Sequence, residues 1–292
     1  MLGIELLDAG AIAVNVDEAG RVSRRANDSN ADVAAAAVAA AGKVGSSTDA
    51  PVAVACFSPD APASVAALAA LAERLGSRLR KSVVSSGMAS VVAEAWVGAA
   101  RGAQDVVYFS VGDHSSAGIL RQGTPLTGAH GRAASAAWLA LNPVEREDYR
   151  KMGCLEAEVA ASGIVRRLIW RVKAGDRSQV QAAVKGDLAA VSIDHVLDAA
   201  RTGDGVAVSV IRDTAKYLGM AAANLVVIAD PEVLVLGGIM ASAADLLLEP
   251  IRSEIARRLP PPMMQALTIA SATLGADGSA IGAARLASSA PQ

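Results

Sequence analysis

The sequence predicts an α/β protein built as two similar halves, and three observations carry that prediction. Short apolar runs with strand character alternate with alanine-rich helical stretches that close in glycine. The alternation restarts near residue 105. Of the 292 residues, 52% are hydrophobic but only 3% aromatic, so the core must be filled by alanine, valine and leucine, which lets helices and sheets approach closely. With 27 basic and 29 acidic residues the net charge is -2, and no long run of either sign marks a nucleic-acid or membrane patch.

Taken in order, "GIELL", "AIAVNVD" and "RVSRRA" read as a meander of short strands with the turn "DEAG" between the last two. "ADVAAAAVAAAGKVG" reads as a helix, and "PVAVACF" as a strand covered on both faces. Two more helices follow at "PASVAALAALAERLG" and "GMASVVAEAWVGAARG". The second cycle opens with "DVVYFSVGDHSSAGILRQG", two strands around a polar turn, and runs through "GCLEAEVAASGIVRRLIWRV" into a largely helical stretch. It closes with the strand "PEVLVLGG", the helix "AADLLLEPIRSEIARRL", the strand "ALTIASATLG" and the helix "GSAIGAARLA". No linker beyond "SSTDAP" and the terminal "SSAPQ" interrupts the series. The expected division is therefore 1–105, completed by the C-terminal helix 278–290, and 106–277, with a ligand cleft between them.

"MLGIELLDAG" opens as a strand rather than as a basic segment followed by a long apolar run, so no signal peptide is expected. No stretch is apolar enough to span a bilayer. Cys56 and Cys154 lie far apart in sequence, which fits free thiols in a reducing compartment, and cytoplasmic residence is the expectation.

Five segments together, "EAWVGAARGAQDVVYFSVG", "GTPLTGAHG", "GCLEAEVAASG", "ADPEVLVLGG" and "LGADGSAIGAARLA", resemble the ROK family of repressors and sugar kinases, in the family's order and over most of the chain. The resemblance implies the two-domain actin-like ATPase fold, ribonuclease H-like in each half, with an interdomain cleft. It also fixes a register for the positions that carry chemistry in the family, and most of those positions have changed.

The first hairpin of the family carries Asp-x-Gly-Gly-Thr, whose glycines admit nucleotide phosphates and whose aspartate helps place magnesium. Here the aspartate corresponds to Glu5, the glycines to Leu7 and Asp8, and the threonine to Ala9. A carboxylate at roughly 4 Å from a phosphate charge costs about 4 kcal/mol at an effective dielectric near 20. In the second phosphate hairpin Asp113 replaces a threonine and His114 a glycine. The Asn-Asp pair whose aspartate is the family's general base corresponds to Ser85 and Ser86, and loss of such a base costs about 100- to 10,000-fold in rate. Ser135 and Trp138 stand where a glutamate and a histidine contact sugar. After "FSPDAP" a longer substrate-contacting segment of the family is missing.

The family's zinc motif, three cysteines and a histidine, keeps only Cys154; Glu147, Tyr149 and Trp138 replace the rest, so no structural zinc is expected and Cys154 reads as a small apolar residue. Glu156 is the one sugar-contacting residue retained, although a first-turn glutamate suits the helix dipole by itself. Gly237 and Gly238 match the family's adenosine-side pair, although strand-to-helix turns use glycine without a ligand.

Asp113, His114 and Ser115 have the composition of a nucleophilic triad and equally of a polar hairpin tip; the tip is the expectation. His130 and His195 have no metal-like partner at helical spacing and read as ordinary residues, and "SRRAN" and "RRLIWR" read as solvated basic faces. The leading expectation is a sugar-kinase-like protein without phosphotransfer, with no catalytic residue, no cofactor and no metal, acting as a ligand-sensing, partner-binding or structural component. The alternative is an ATP- and magnesium-dependent hexose or amino-sugar kinase with an atypical site, in which Asp8 or Asp113 has taken over as base. Partners implied by the resemblance are a second copy of the chain, a small sugar-like ligand or a related kinase subunit. Family repressors carry a DNA-binding module before the first strand, and a chain that enters its first strand within a few residues of Met1 is not expected to bind nucleic acid.

Overall fold

The structure, a computed structural model, describes residues 1–45, 50–80 and 83–289, so most of the predicted "SSTDAP" loop and the end of the predicted "SSAPQ" tail and 278–290 helix lie outside the described residues. Two compact units form: residues 1–108 with 117–134 and the chain from 272 onward, and residues 109–116 with 135–271.

In the first unit β1 (Leu2–Leu7) and β2 (Gly10–Val16) make an antiparallel hairpin in which Leu7 faces Gly10, leaving Asp8 and Ala9 as a two-residue turn. β3 (Val22–Asp28) continues the meander against β2. The helix α1 (Val33–Val44) starts where the Asp32 side chain accepts from the amides of Ala34 and Ala35. β4 (Val52–Cys56) runs parallel to β1, with Ala55 opposite Glu5. Then come α2 (Pro62–Leu75), the short β5 (Val84–Ser85) and α3 (Ser86–Val97). The sheet order is β3-β2-β1-β4-β5.

Strand alternation decides which side of this sheet each residue serves. Leu2, Ile4 and Leu6 pack with the alanines of α1 and with Leu71 of α2 in one core. Gly3 and Glu5 point to the other face. There Ile12, Val14 and Val16 meet Ala280, Ile281 and Ala284 of the C-terminal helix, so β1 offers that helix only a glycine and a carboxylate.

The chain continues with β6 (Val106–Val111), β7 (Ser115–Arg121) and β8 (Thr124–Pro125), then α4 (Glu147–Met152), α5 (Cys154–Val159), α6 (Ala161–Lys173), α7 (Val180–Ala183), α8 (Ile193–Arg201) and the long α9 (Gly205–Ala229). β9 (Val233–Gly238), α10 (Ile239–Ser242), α11 (Ala244–Ala256), α12 (Pro261–Ala266), β10 (Thr268–Ser271) and α13 (Gly278–Ser289) complete it. The second sheet has the order β10-β9-β6-β7-β8.

Three boundaries differ from expectation for local reasons. The helix predicted from residue 87 to 102 ends at Val97, because the Glu94 carboxylate takes the amide of Ala99 at 2.7 Å and turns the chain. The helical run through 153–172 breaks at Ala160, which is extended (ψ 158°), because the amide of Ala161 donates to the carbonyl of Gly112 at 2.9 Å. The strand predicted over 266–275 shrinks to Thr268–Ser271, since Pro261 at a helix start makes the preceding residues α12. Both cysteines are buried and free. Among the described residues no helix is long and apolar enough to cross a membrane.

Candidate functional site

The first unit assembles its polar centre around Glu5. The α13 backbone lies directly on β1: a Cβ at Gly3 would sit 1.9 Å from the carbonyl oxygen of Ala280. That close approach brings Ser279, the second residue of α13, to Glu5. From another direction α3 begins beside β7, where Cβ atoms at Gly87 and Gly118 would each fall 2.2 Å from the other element's carbonyl oxygen. Only glycines permit this contact, and it fixes Ser86 at the mouth of α3, where Ser85 caps the amide of Met88 at 3.2 Å.

The Ser86 and Ser279 hydroxyls lie beside the Glu5 carboxyl and favour its charged form, and the buried Ser279 Oγ closes no well-aligned hydrogen bond. Glu5 as a whole is half-buried, yet its carboxyl end is enclosed by protein. Desolvation therefore dominates and pushes it up to about 7, with Asp277 adding a smaller push in the same direction. Asp277 itself holds Arg25 of β3 at 2.7 and 3.0 Å. Ser279 is 5% exposed and its Oγ makes no hydrogen bond. At the end of the same strand Leu7 is 38% exposed, and Asp8 and Ala9 form the exposed turn.

Sequence reasoning placed Glu5 and Ser86 in the site through the resemblance but missed Ser279 and the character of Glu5. The only sequence signal was a serine inside an otherwise glycine-alanine helix start. Glu94, buried to 1% exposure, takes the amides of Ala99, Thr273 and Leu274 and so is a loop-holding residue.

In the second unit Glu156 of α5 is 4% exposed, and both carboxylate oxygens are engaged by the β6–β7 hairpin. His114 Nδ1 lies 3.1 Å from Oε1, and the amide of Ser115 donates to Oε2 at 2.7 Å. The hairpin tip is thus tied to the substrate-side glutamate that the resemblance implies. Asp113 at the same tip is exposed, and the buried Ser115 Oγ has no partner, so Asp113, His114 and Ser115 are not assembled as a triad. Trp138 is 58% exposed on a short turn.

Gly238 has φ of +61°, and a Cβ there would meet the Val111 carbonyl oxygen at 2.0 Å. That backbone demand accounts for it without a nucleotide. Gly237 precedes it at the end of β9. His195 closes a capping box with Ser192 at the start of α8, and His130 lies on an exposed loop.

Cys154 packs with Tyr149, Met152 and Ala157. Around that cluster runs a polar network. Tyr149 Oη donates to Glu158 Oε1 at 2.5 Å, and Arg146 Nη1 reaches the same oxygen at 3.2 Å while forking onto Asp148 at 2.9 and 3.1 Å. Arg166 Nη1 joins Asp148 at 2.9 Å, and Arg167 lies 3.6 Å from Glu158 and donates to Thr214 Oγ1 at 2.5 Å. Burial and the bond to Glu158 push the Tyr149 phenol up, so it remains a donor. Arg146 and Arg166 both stack on Trp170. Among the described residues no three His, Cys, Asp or Glu side chains gather as a metal-binding group.

A model of the ROK family matches residues 20–290. A glucokinase of Halalkalibacterium halodurans is 31% identical over 73% of this chain, and the match spans 65% of that relative's length, just under two thirds. The DNA-binding transcriptional repressor Mlc of Escherichia coli is 25% identical over 66% of this chain and 46% of its own. Among solved structures, a ROK family glucokinase from Streptomyces griseus, in complex with glucose and AMPPNP, superposes with a TM-score of 0.84 at 23% identity over 99% of both chains. The fold is accordingly that of the actin-like ATPase sugar kinases. With a family model covering nearly its whole length, this chain belongs to the ROK family.

Proposed function

We propose that this chain is a sugar-kinase-like protein that recognises a small hydroxylated ligand and does not transfer phosphate to it. The observation that carries the reading is a carboxylate at both hairpin tips, Asp8 in the two-residue turn of β1–β2 and Asp113 at the exposed tip of β6–β7. Phosphate-binding turns work by presenting backbone amides at glycine positions, and a carboxylate at each tip opposes a triphosphate by about 4 kcal/mol at roughly 4 Å. The residues at the tips therefore do not fit the phosphates of ATP, while carboxylates remain ordinary ligands for magnesium. The donors around Cys154 do not fit zinc either, since Tyr149 is held as a neutral phenol donating to Glu158.

A ligand that binds only the folded protein raises its unfolding free energy by about 2.7 kcal/mol at a concentration one hundred times its dissociation constant. Thermal unfolding is expected to shift upward with millimolar glucose or N-acetylglucosamine and to stay unchanged with Mg-ATP. A clear shift by Mg-ATP contradicts the reading. The same reading assigns a homodimer, and sedimentation velocity showing only a monomer at micromolar concentration removes that part.

The second reading, an ATP-dependent hexose or amino-sugar kinase with an atypical site, is favoured by one observation: a carboxyl titrating near neutrality stands beside Ser86, the position of the family's general base. Under that reading Glu5, rather than Asp8 or Asp113, is the proton acceptor, and Mg-ATP stabilises the protein.

A further inference from the structure

We propose that the tip of the β6–β7 hairpin is a proton-dependent latch: His114 clamps the tip onto the buried carboxylate of Glu156 while its imidazole is charged, and loosens it as the imidazole loses its proton. Every group of the latch lies in the second unit, and the device holds whichever function the fold serves.

Two ties bind the tip to the helices beside it. The tip itself turns tightly, with the Gly112 amide donating to the His114 carbonyl at 2.8 Å. The first tie is backbone alone: the Ala161 amide at the start of α6 donates to the Gly112 carbonyl at 2.9 Å, a bond with no titrating partner. The second is ionic. Glu156 of α5 accepts the Ser115 amide on Oε2 at 2.7 Å and faces His114 Nδ1 with Oε1 at 3.1 Å. The carboxylate side chain is 5% exposed and the imidazole 32%, so solvent protons reach the ring but not the group it serves.

The closed tip carries a cost as well as a gain. A carboxylate taken out of water needs strong donors in return, and the Ser115 hydroxyl, on a residue 1% exposed, is left without a hydrogen-bond partner. Opening the tip hydrates both groups. Closure therefore depends on the two donors to Glu156, and one of them changes charge near neutral pH.

The charges around the ring set the direction. Facing the imidazole are Glu156 of α5 and, beside it on the tip, the exposed Asp113. The other acid of α5, Glu158, is taken by Arg146 and Tyr149, while α6 and β9 meet the tip through the Ala161 amide and Gly238, which carry no charge. A charged donor bonds a carboxylate roughly twice as strongly as a neutral one, so the closed tip takes up the proton more readily than the open tip. By linkage, closure is strongest below the ordinary histidine range near pH 6.5 and weakens as pH rises through it. Under the resemblance this position is a glycine, which cannot titrate, so the latch belongs to this chain.

Hydrogen exchange of the Ser115 amide in the full chain, read by NMR and corrected for the intrinsic rate at each pH, tests this. Protection is expected to fall about tenfold from pH 5.5 to pH 7.5, while that of the Phe109 amide in the middle of β6 stays level. His114→Gln and Glu156→Gln should each lack the step. If either variant fails to fold, the wild type supplies a second readout: the His114 ring nitrogens and the Ser115 amide should shift with one common midpoint. Protection of Ser115 that is absent or independent of pH, a step that persists in His114→Gln, a matching step at Phe109, or separate midpoints for ring and amide overturns the proposal.

Discussion

Burial pushes the Glu5 carboxyl up from 4.5 to about 7, so it binds more protons folded than unfolded throughout that interval. The folded state therefore keeps its full advantage below about pH 4.5 and loses it as pH rises through about 7. The loss attributable to this one group is about 3 kcal/mol, since raising a pKa by one is worth about 1.4 kcal/mol. Chemical denaturation at pH 5 and pH 8 should show the wild type losing about that much more stability across the interval than Glu5→Gln. Equal losses in the two proteins would mean that the carboxyl is ordinary. That Glu5 stands at the family aspartate's position was implied by the resemblance alone. Its altered acidity was not, because the helix that covers it comes from the far end of the chain and only the folded register of Gly3 against Ala280 brings Ser279 there.

At the scale of elements, α4, α5, α6 and α9 are joined by side chains where the resemblance implies a metal. Arg146, Tyr149 and Arg167 converge on Glu158, which is 5% exposed, and Arg146 and Arg166 converge on Asp148. Removing one partner of a buried pair costs up to about 3 to 5 kcal/mol when the other charge is left alone, and less here because Glu158 keeps Tyr149 and Arg146. Arg167→Met should therefore lower the thermal midpoint by several degrees, at about 2–4 °C per kcal/mol in a domain of this size. Tyr149→Phe, which removes one hydrogen bond to a charged acceptor, should cost about 1.5 to 3 kcal/mol. An excess of chelator should leave the wild-type midpoint unmoved; a chelator-induced fall, or an unchanged midpoint in Arg167→Met, would contradict the assignment of the network as the brace.

The resemblance implied residue by residue that Glu147, Tyr149 and Trp138 stand at zinc-ligand positions, and left the network of Arg146, Tyr149, Glu158 and Arg167 unread. "RRLIWR" looked like a solvated basic face, yet Arg166 and Arg167 turn inward, a choice made by the Asp148 and Glu158 carboxylates on other helices. The strand-helix alternation was legible because it is local periodicity. The break at Ala160 was not, because it answers to a carbonyl on the β6–β7 hairpin.

For the whole molecule, the family was legible because five separated segments kept their order, and the match over residues 20–290 agrees with them. What the molecule does with that fold turns on the residues that changed. Asp8 and Asp113 occupy the turns, Ser86 stands at the start of α3, where the resemblance implies the base, and Glu156 is bound by His114 and Ser115 of its own unit. A lost base alone costs about 100- to 10,000-fold, although groups that act together do not contribute additively. Against this stands the Glu5 carboxyl beside Ser86, which burial suits to accept a proton near neutral pH.

Mass-spectrometric detection of sugar phosphate decides between the two functions. Purified protein incubated with Mg-ATP and glucose, mannose or N-acetylglucosamine at pH 8 should yield no product above the protein-free control. Product that accumulates with time and enzyme concentration, and disappears in Glu5→Gln, would show that the chain is a kinase after all.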